Sequence, residues 1–212
     1  MIGIVVGTRP ELVKMAPVLW QLDARRIPYA LVHTGQHYDY NLNAVFFEDL
    51  RLRLPDVVLS SSGKSDAAQT AGMMAALDPQ FQRLGLSCVV VQGDTNTVLA
   101  ASLVAKKQQR LLAHVEAGAR SFDRRMPEEI NRVAADHLSD LLFAPDAVCR
   151  QHLLDEGLPE SRIVVSGNTQ FESLAFAAKH AKAPAFEVPN EFILVTAHRQ
   201  ETNEKTALVH LV

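Results

Sequence analysis

Short apolar runs recur along the whole chain, and they restrict its fold more than any other feature. They are Ile2–Val6, Tyr29–His33, Val57–Leu59, Cys88–Val91, Leu111–Val115, Leu141–Phe143, Ile163–Val165 and Phe192–Val195. Most are rich in β-branched residues and lack polar alternation. Strands written this way are buried on both faces, as in parallel sheets covered by helices on each side. Between them lie segments with helical spacing, among them Glu11–Leu22, Thr95–Lys107, Pro127–Leu138, Ala147–Glu156 and Phe171–Lys182. Strands alternating with helices imply right-handed βαβ units and a doubly wound α/β sheet.

Local signals sharpen this reading. Thr8 and Glu11 form a Thr-x-x-Glu capping box with Pro10 in the first turn. Leu12, Met15, Leu19 and Leu22 follow as an apolar stripe, and Pro17 inside it predicts a bend or an early end. Thr95–Lys107 is apolar nearly all round, which predicts deep packing. The stretch from Ala181 to Asn190 holds two prolines and little periodicity, as a linker does. Residues 1–182 are therefore expected to form one domain and residues 183–191 a linker. One strand and one helical start in 192–212 cannot build a core, so they read as the opening of a truncated second domain.

Composition removes several classes of function. With 48% hydrophobic and 21% charged residues in 212, the chain can bury a core and is not intrinsically disordered. Lys plus Arg is 21 against 24 Asp plus Glu, a net charge of −3, which gives no overall pull toward nucleic acid or an anionic membrane. A local basic pocket for a phosphate remains compatible with this balance. Cys88 and Cys149 cannot make a disulfide framework and suit a reducing, cytoplasmic setting. No apolar run approaches the ~18–20 residues of a membrane span. Met1–Gly7 lacks a basic leader region and reads as a first strand.

In parallel sheets ligands bind at the carboxyl ends of strands. Those ends carry Gly7-Thr8-Arg9-Pro10-Glu11, Thr34-Gly35-Gln36-His37, Gln92-Gly93-Asp94-Thr95, Glu116-Ala117-Gly118-Ala119-Arg120, Gly167-Asn168-Thr169 and Thr196-Ala197-His198-Arg199. A sheet with a purely structural role needs turns there, but not this density of Arg, Asp, Glu and His. Each residue also has a plainer reading. Asp94 suits the N-cap of the following helix, as does Asn168 for its own. Glu128 and Glu129 suit a helix start, and Glu128 with Arg132 is an i,i+4 pair. Glu116 ends a buried strand, where an unpaired carboxylate is costly. His33 and His37 have the H-x3-H spacing of a metal pair, but a strand-to-loop passage separates them, so no metal is expected. Ser62-Gly63-Lys64-Ser65 imitates a Walker A ending, yet Val58 stands where its first glycine belongs. No G-x-G-x-x-G fingerprint is present, so no nicotinamide cofactor is expected.

Taken in order, Gly7-Thr8-Arg9-Pro10-Glu11 with Lys14-Met15-Ala16-Pro17, Thr34–His37, Gln92–Thr95, His114-Val115-Glu116-Ala117-Gly118 with Arg120-Ser121, Pro127-Glu128-Glu129-Ile130-Asn131-Arg132, Gly167–Thr169 and Thr196–Arg199 resemble the non-hydrolysing UDP-N-acetylglucosamine 2-epimerases. The resemblance spans almost the whole chain. It departs at Glu172, where the family usually has Asp, at Gln200, where a second Arg is common, and in a short loop before Pro127. It implies the Rossmann-like N-terminal domain of a two-domain glycosyltransferase-B fold. In that fold the sugar nucleotide lies between the domains, and most UDP contacts come from the other half.

The resemblance also implies a reaction. C2 of UDP-N-acetylglucosamine is inverted by eliminating UDP to a 2-acetamidoglucal and adding it back, with neither cofactor nor metal. That chemistry needs carboxylates near the sugar and cations at the diphosphate. Asp94, Glu116 and Glu128 are the candidate carboxylates, with His198 completing the catalytic set. Arg9, Lys14, Arg132 and Arg199 are the substrate-binding candidates, and Arg132 is expected to orient Glu128. Gln36 and His37 stand where bacterial members bind a second UDP-N-acetylglucosamine as activator. The resemblance further implies a cytoplasmic homodimer feeding cell-surface polysaccharide synthesis. Two alternatives share these motifs: a hydrolysing relative that releases UDP and N-acetylmannosamine, and a binding fragment without turnover. The 212-residue chain alone is expected to be inactive.

Overall fold

A computed structural model describes residues 1–193 except 37–39, 61–62, 64, 183–185 and 190, and leaves aside the side chains of 40–44. The chain divides into two compact units, Met1–Lys179 and His180–Val212. In the first, the strands are β1 (Ile2–Val6), β2 (Tyr29–His33), β3 (Val57–Val58), β4 (Cys88–Gln92), β5 (Leu111–Val115), β6 (Leu141–Ala144) and β7 (Ile163–Val165). The helices are α1 (Arg9–Ala24), α2 (Tyr40–Asp49), α3 (Asp66–Arg83), α4 (Asn96–Lys107), α5 (Pro127–Leu138), α6 (Ala147–Asp155) and α7 (Gln170–His180). In the second unit, Phe192 and Ile193 lie in no strand, against expectation. The rest of that expected strand, and the helical start after it, fall outside the described residues.

The sheet is seven-stranded in the order β3-β2-β1-β4-β5-β6-β7, and every pair is parallel. This is a doubly wound, Rossmann-like sheet, as the apolar runs predict. The two faces of β1 show why those runs lack polar alternation. Val5 packs with Met73, Leu77 and Phe81 of α3 and Val98 and Val104 of α4. Ile4 and Val6 pack on the other face with Leu12, Met15 and Leu19 of α1. Among the described residues no helix is long and apolar enough to cross a membrane.

The strand order reverses direction between β1 and β4. β1 is followed outward by β2, whereas β4 starts the progression to β7. Their carboxyl ends therefore open a crevice, the place where such sheets bind ligands. Gly7 allows the close approach there, because a Cβ on it would collide with the hydroxyls of Thr34 and Thr97.

Helix α1 does not end early. It runs through the buried Pro17 to Ala24. Proline cannot donate to the carbonyl four residues back, which leaves the Val13 oxygen without its helical partner. The Ser173 hydroxyl of α7 donates to that oxygen at 2.6 Å. One turn on, Trp20 and Phe176 stack with centroids 4.4 Å apart. A tertiary contact thus replaces the missing local one. Ser173→Ala should cost about 1 kcal/mol of stability, the penalty of a partly buried carbonyl left without this donor. The cost should largely vanish in a Pro17→Ala background, where the backbone N–H gained at that position can donate to the same oxygen. Denaturant melts of the two single variants and the double variant measure the coupling, and additive losses would exclude this compensation.

Candidate functional site

The crevice holds a cavity of about 420 Å3 lined by Thr8, Pro10, Glu11 and Lys14 after β1, and by Gln92, Gly93, Asp94, Thr95 and Asn96 after β4. Gln36, Asp66, Pro127, Glu128 and Asn131 close it from neighbouring elements. Asp94, Glu128, Lys14 and Gln36, separated in sequence, are thus brought to one cavity. Arg9 instead joins Pro10, Val13, Lys14, Phe46 and Gln170 around an adjacent cavity of about 340 Å3, with its guanidinium 5.9 Å from the Phe46 ring centroid. His37, His198 and Arg199 lie outside the described residues.

Glu116 is the first residue past β5 and stands in left-handed backbone, φ 70°. Side chains other than glycine's rarely accept that conformation, so the surroundings must hold it. Lys14 Nζ reaches both of its oxygens, at 2.9 and 2.6 Å. Gln92 Nε2 donates to Oε2 at 2.6 Å. The carboxylate at the strand end is therefore paired, and Lys14 is engaged by it. Both side chains keep about a quarter of their surface exposed, 23% and 25%.

Asp94 does not cap α4. The cap is Thr95, whose hydroxyl accepts from the Val98 amide and donates to Glu11 Oε1 at 2.6 Å. Asp94 instead pairs with Arg132, which also donates to Glu129 at 2.9 Å. Arg132 thus orients Asp94 and Glu129 rather than Glu128, correcting the i,i+4 expectation. Burial works against the charge on Arg132, but the bonds to Asp94 and Glu129 raise its pKa above the ordinary guanidinium value. Glu129 is further fixed by the Ser121 and Phe122 amides, at 2.9 and 3.0 Å. Glu128, one residue before it, is exposed and turns to the cavity. Asn168 spends its side chain on the Gln170 amide at 2.9 Å, a local turn.

Two buried carboxylates escape a sequence reading as site elements. Glu11 has the spacing of a capping residue, and it does accept from the Thr8 amide at 2.8 Å. It also accepts from the Gly7 amide at 2.7 Å and from Thr95, so it ties the β1 and β4 loops together. Burial raises its pKa. Asp136, fully buried on α5, bonds His114 at 2.6 Å, the Gly118 amide at 3.0 Å and Arg120 at 2.7 Å. The capping-box spacing marks Glu11, but its bond to Thr95 is tertiary and no sequence signal announces it. The same holds for the bonds of Asp136.

At the end of β2, His33 is buried and its Nδ1 accepts from the Gly35 amide at 3.0 Å. Burial pushes its pKa down to about 4, from 6.5. Between those values the unfolded chain binds a proton that the folded chain refuses, so stability rises with pH across the window. Lowering the pH from 6.5 to 4 should remove ~3 kcal/mol through this group. His33→Gln should flatten that part of the stability profile in denaturant melts, and an unchanged slope would exclude the assignment.

Known proteins share this chain's sequence pattern and fold. A family model described as UDP-N-acetylglucosamine 2-epimerase matches residues 21–212. The UDP-N-acetylglucosamine 2-epimerase of Methanocaldococcus jannaschii is 41% identical over all of the chain and 60% of its own length. That of Methanococcus maripaludis is 42% identical over 96% of the chain and 57% of its own length. A UDP-2,3-diacetamido-2,3-dideoxy-D-glucuronate 2-epimerase of Pseudomonas aeruginosa is 37% identical over 98% of the chain. Among solved structures, the Methanocaldococcus jannaschii UDP-GlcNAc 2-epimerase in complex with UDP-GlcNAc and UDP superposes with a TM-score of 0.80, at 43% identity. It covers 85% of this chain and 51% of that one. The chain spans less than two thirds of the length of the curated relatives it matches.

Proposed function

Because this chain belongs to the UDP-N-acetylglucosamine 2-epimerase family, we propose that it supplies the proton-transferring half of an enzyme that inverts C2 of UDP-N-acetylglucosamine. One observation carries the reading: three carboxylates serve one crevice at the reversal of strand order. Asp94 and Glu128 line the cavity, and Glu116 is hydrogen-bonded to two lining residues, Lys14 and Gln92. C2–H is not acidic enough for direct removal at neutral pH. Elimination of UDP makes its loss accessible, and a carboxylate on each side of the sugar then serves removal and return of the proton. A third carboxylate, or the field of the first two, stabilises the cationic character that develops at C1.

Cations must hold the departing diphosphate. Arg9 at the N-terminal turn of α1 fits this role, helped by the helix N-terminus. Lys14, bonded to Glu116, joins the cation side of the site to the carboxylate side. Arg132, held between Asp94 and Glu129, acts by orienting Asp94. His198 and Arg199 complete the diphosphate contacts in this reading. Residues 192–212 open a second domain, with 183–191 as the link to it, and turnover belongs to a form that includes such a domain. Gln36 and His37 take part in effector binding, and the enzyme works as a cytoplasmic homodimer in polysaccharide synthesis.

The test is proton NMR of UDP-N-acetylglucosamine incubated with the protein in D2O. The manno epimer should form with deuterium at C2. UDP with free N-acetylmannosamine would instead identify the hydrolysing reaction. An unchanged substrate, with a second UDP-binding domain also present, would refute both. Asp94→Asn or Glu116→Gln should lower kcat at least ~10²-fold, the scale of one acid–base group. Near-normal turnover in both variants would remove the carboxylates from the mechanism.

A further inference from the structure

We propose that His114 is a positioning residue for Asp94: its ring joins the Gly93 carbonyl to the Asp136 carboxylate and so fixes the backbone from which Asp94 projects. The inference rests on the proposed role of Asp94 at the sugar. The ring is fully buried. Nε2 lies 2.8 Å from the Gly93 oxygen, which can only accept, so Nε2 carries a proton. Nδ1 lies 2.6 Å from Asp136 Oδ1. Asp136 also receives the Gly118 amide and the Arg120 guanidinium, which keep it ionised and accepting only. Nδ1 therefore carries a proton too, and the ring is an imidazolium.

The charges around it account for this state. Asp136 faces the ring from α5, Glu116 acts on it from just past its own strand, and Arg120 lies beyond Asp136 with Glu156 of the α6 end paired to it. His114 and Arg120 balance Asp136 and Glu156. Burial opposes the imidazolium, but Asp136 and the Gly93 carbonyl outweigh it and raise the pKa of His114. Gly93 itself turns in left-handed backbone, φ 82°, so the clamp sits on the residue that redirects the chain into Asp94. Asn131 Nδ2 holds the next carbonyl, that of Asp94, at 2.9 Å.

The test reads the ring directly. In the 15N-labelled protein both ring nitrogens of His114 should carry protons at pH 7, and a bare nitrogen there would overturn the clamp. His114→Gln keeps one amide donor but not the charge or the bridge. It should lower kcat ~10–100-fold while KM for UDP-N-acetylglucosamine moves less than ~3-fold, the signature of misplaced chemistry rather than lost binding. A folded variant with unchanged kcat would overturn the proposal. If the variant does not fold, or the unsubstituted protein proves inactive, a pH titration of the unsubstituted protein decides. The 13C carboxyl signal of Asp94 should shift in step with the His114 ring, and a fixed signal refutes the coupling. An imidazolium coupled to Asp94 in a protein that leaves the sugar nucleotide unchanged would instead count against the proposed reaction alone.

Discussion

The turn Gln92–Thr95 is the constraint on which the rest of the crevice depends. Its groups are held from β5 and the residue past it, from α5 and from α1. Gln92 reaches Glu116 past β5, the Gly93 carbonyl meets His114 within β5, and the Asp94 carbonyl meets Asn131 of α5. The Asp94 carboxylate meets Arg132, and the Thr95 hydroxyl meets Glu11 of α1. A loop at a strand end normally has freedom to spare. Here the strain of a left-handed Glu116 is carried, and the turn at Gly93 held, by bonds that converge from several elements, the arrangement a preorganised site requires.

Helix α5 has an outsized share in this. Glu128, Arg132 and Asp136 recur every four residues, so they lie along one stripe of the helix. Glu128 faces the cavity, Arg132 grips Asp94, and Asp136 anchors the histidine behind it. One rigid element thus presents a group to the ligand, orients a second and supports a third. Buried ion pairs of this kind contribute little net stability, because desolvation offsets most of their attraction. Their effect is to fix geometry.

The sheet was legible in the sequence because each of its main strands is buried on two faces, and that leaves uninterrupted apolar runs. Helix α3 is not among the helices singled out by periodicity, although Met73, Leu77 and Phe81 recur every four residues and Ser65 caps it. Apart from Met74 and Pro79 its other positions are small or polar, which dilutes the stripe. At the site, residue identity at strand ends pointed to Asp94 and Glu116, the family resemblance added Lys14, and the fold gathers all three around one crevice. Partnerships were less legible. Local spacing offered Arg132 the residue four back, whereas it takes Glu129, three back, and an aspartate from another strand end. The choice of Asp94 depends on which loops lie side by side, and no local pattern encodes that.

The repair at Pro17 has a consequence for how the chain is made. The hydroxyl that completes the middle of α1 belongs to a residue 160 positions further along. Synthesis proceeds from the N-terminus, so α1 emerges long before its partner. Until then the Val13 oxygen lacks the donor that completes the helix. The opening segment is finished by α7, which brackets the unit from its far end. A truncation before Ser173 would therefore leave its mark at the very start of the nascent protein.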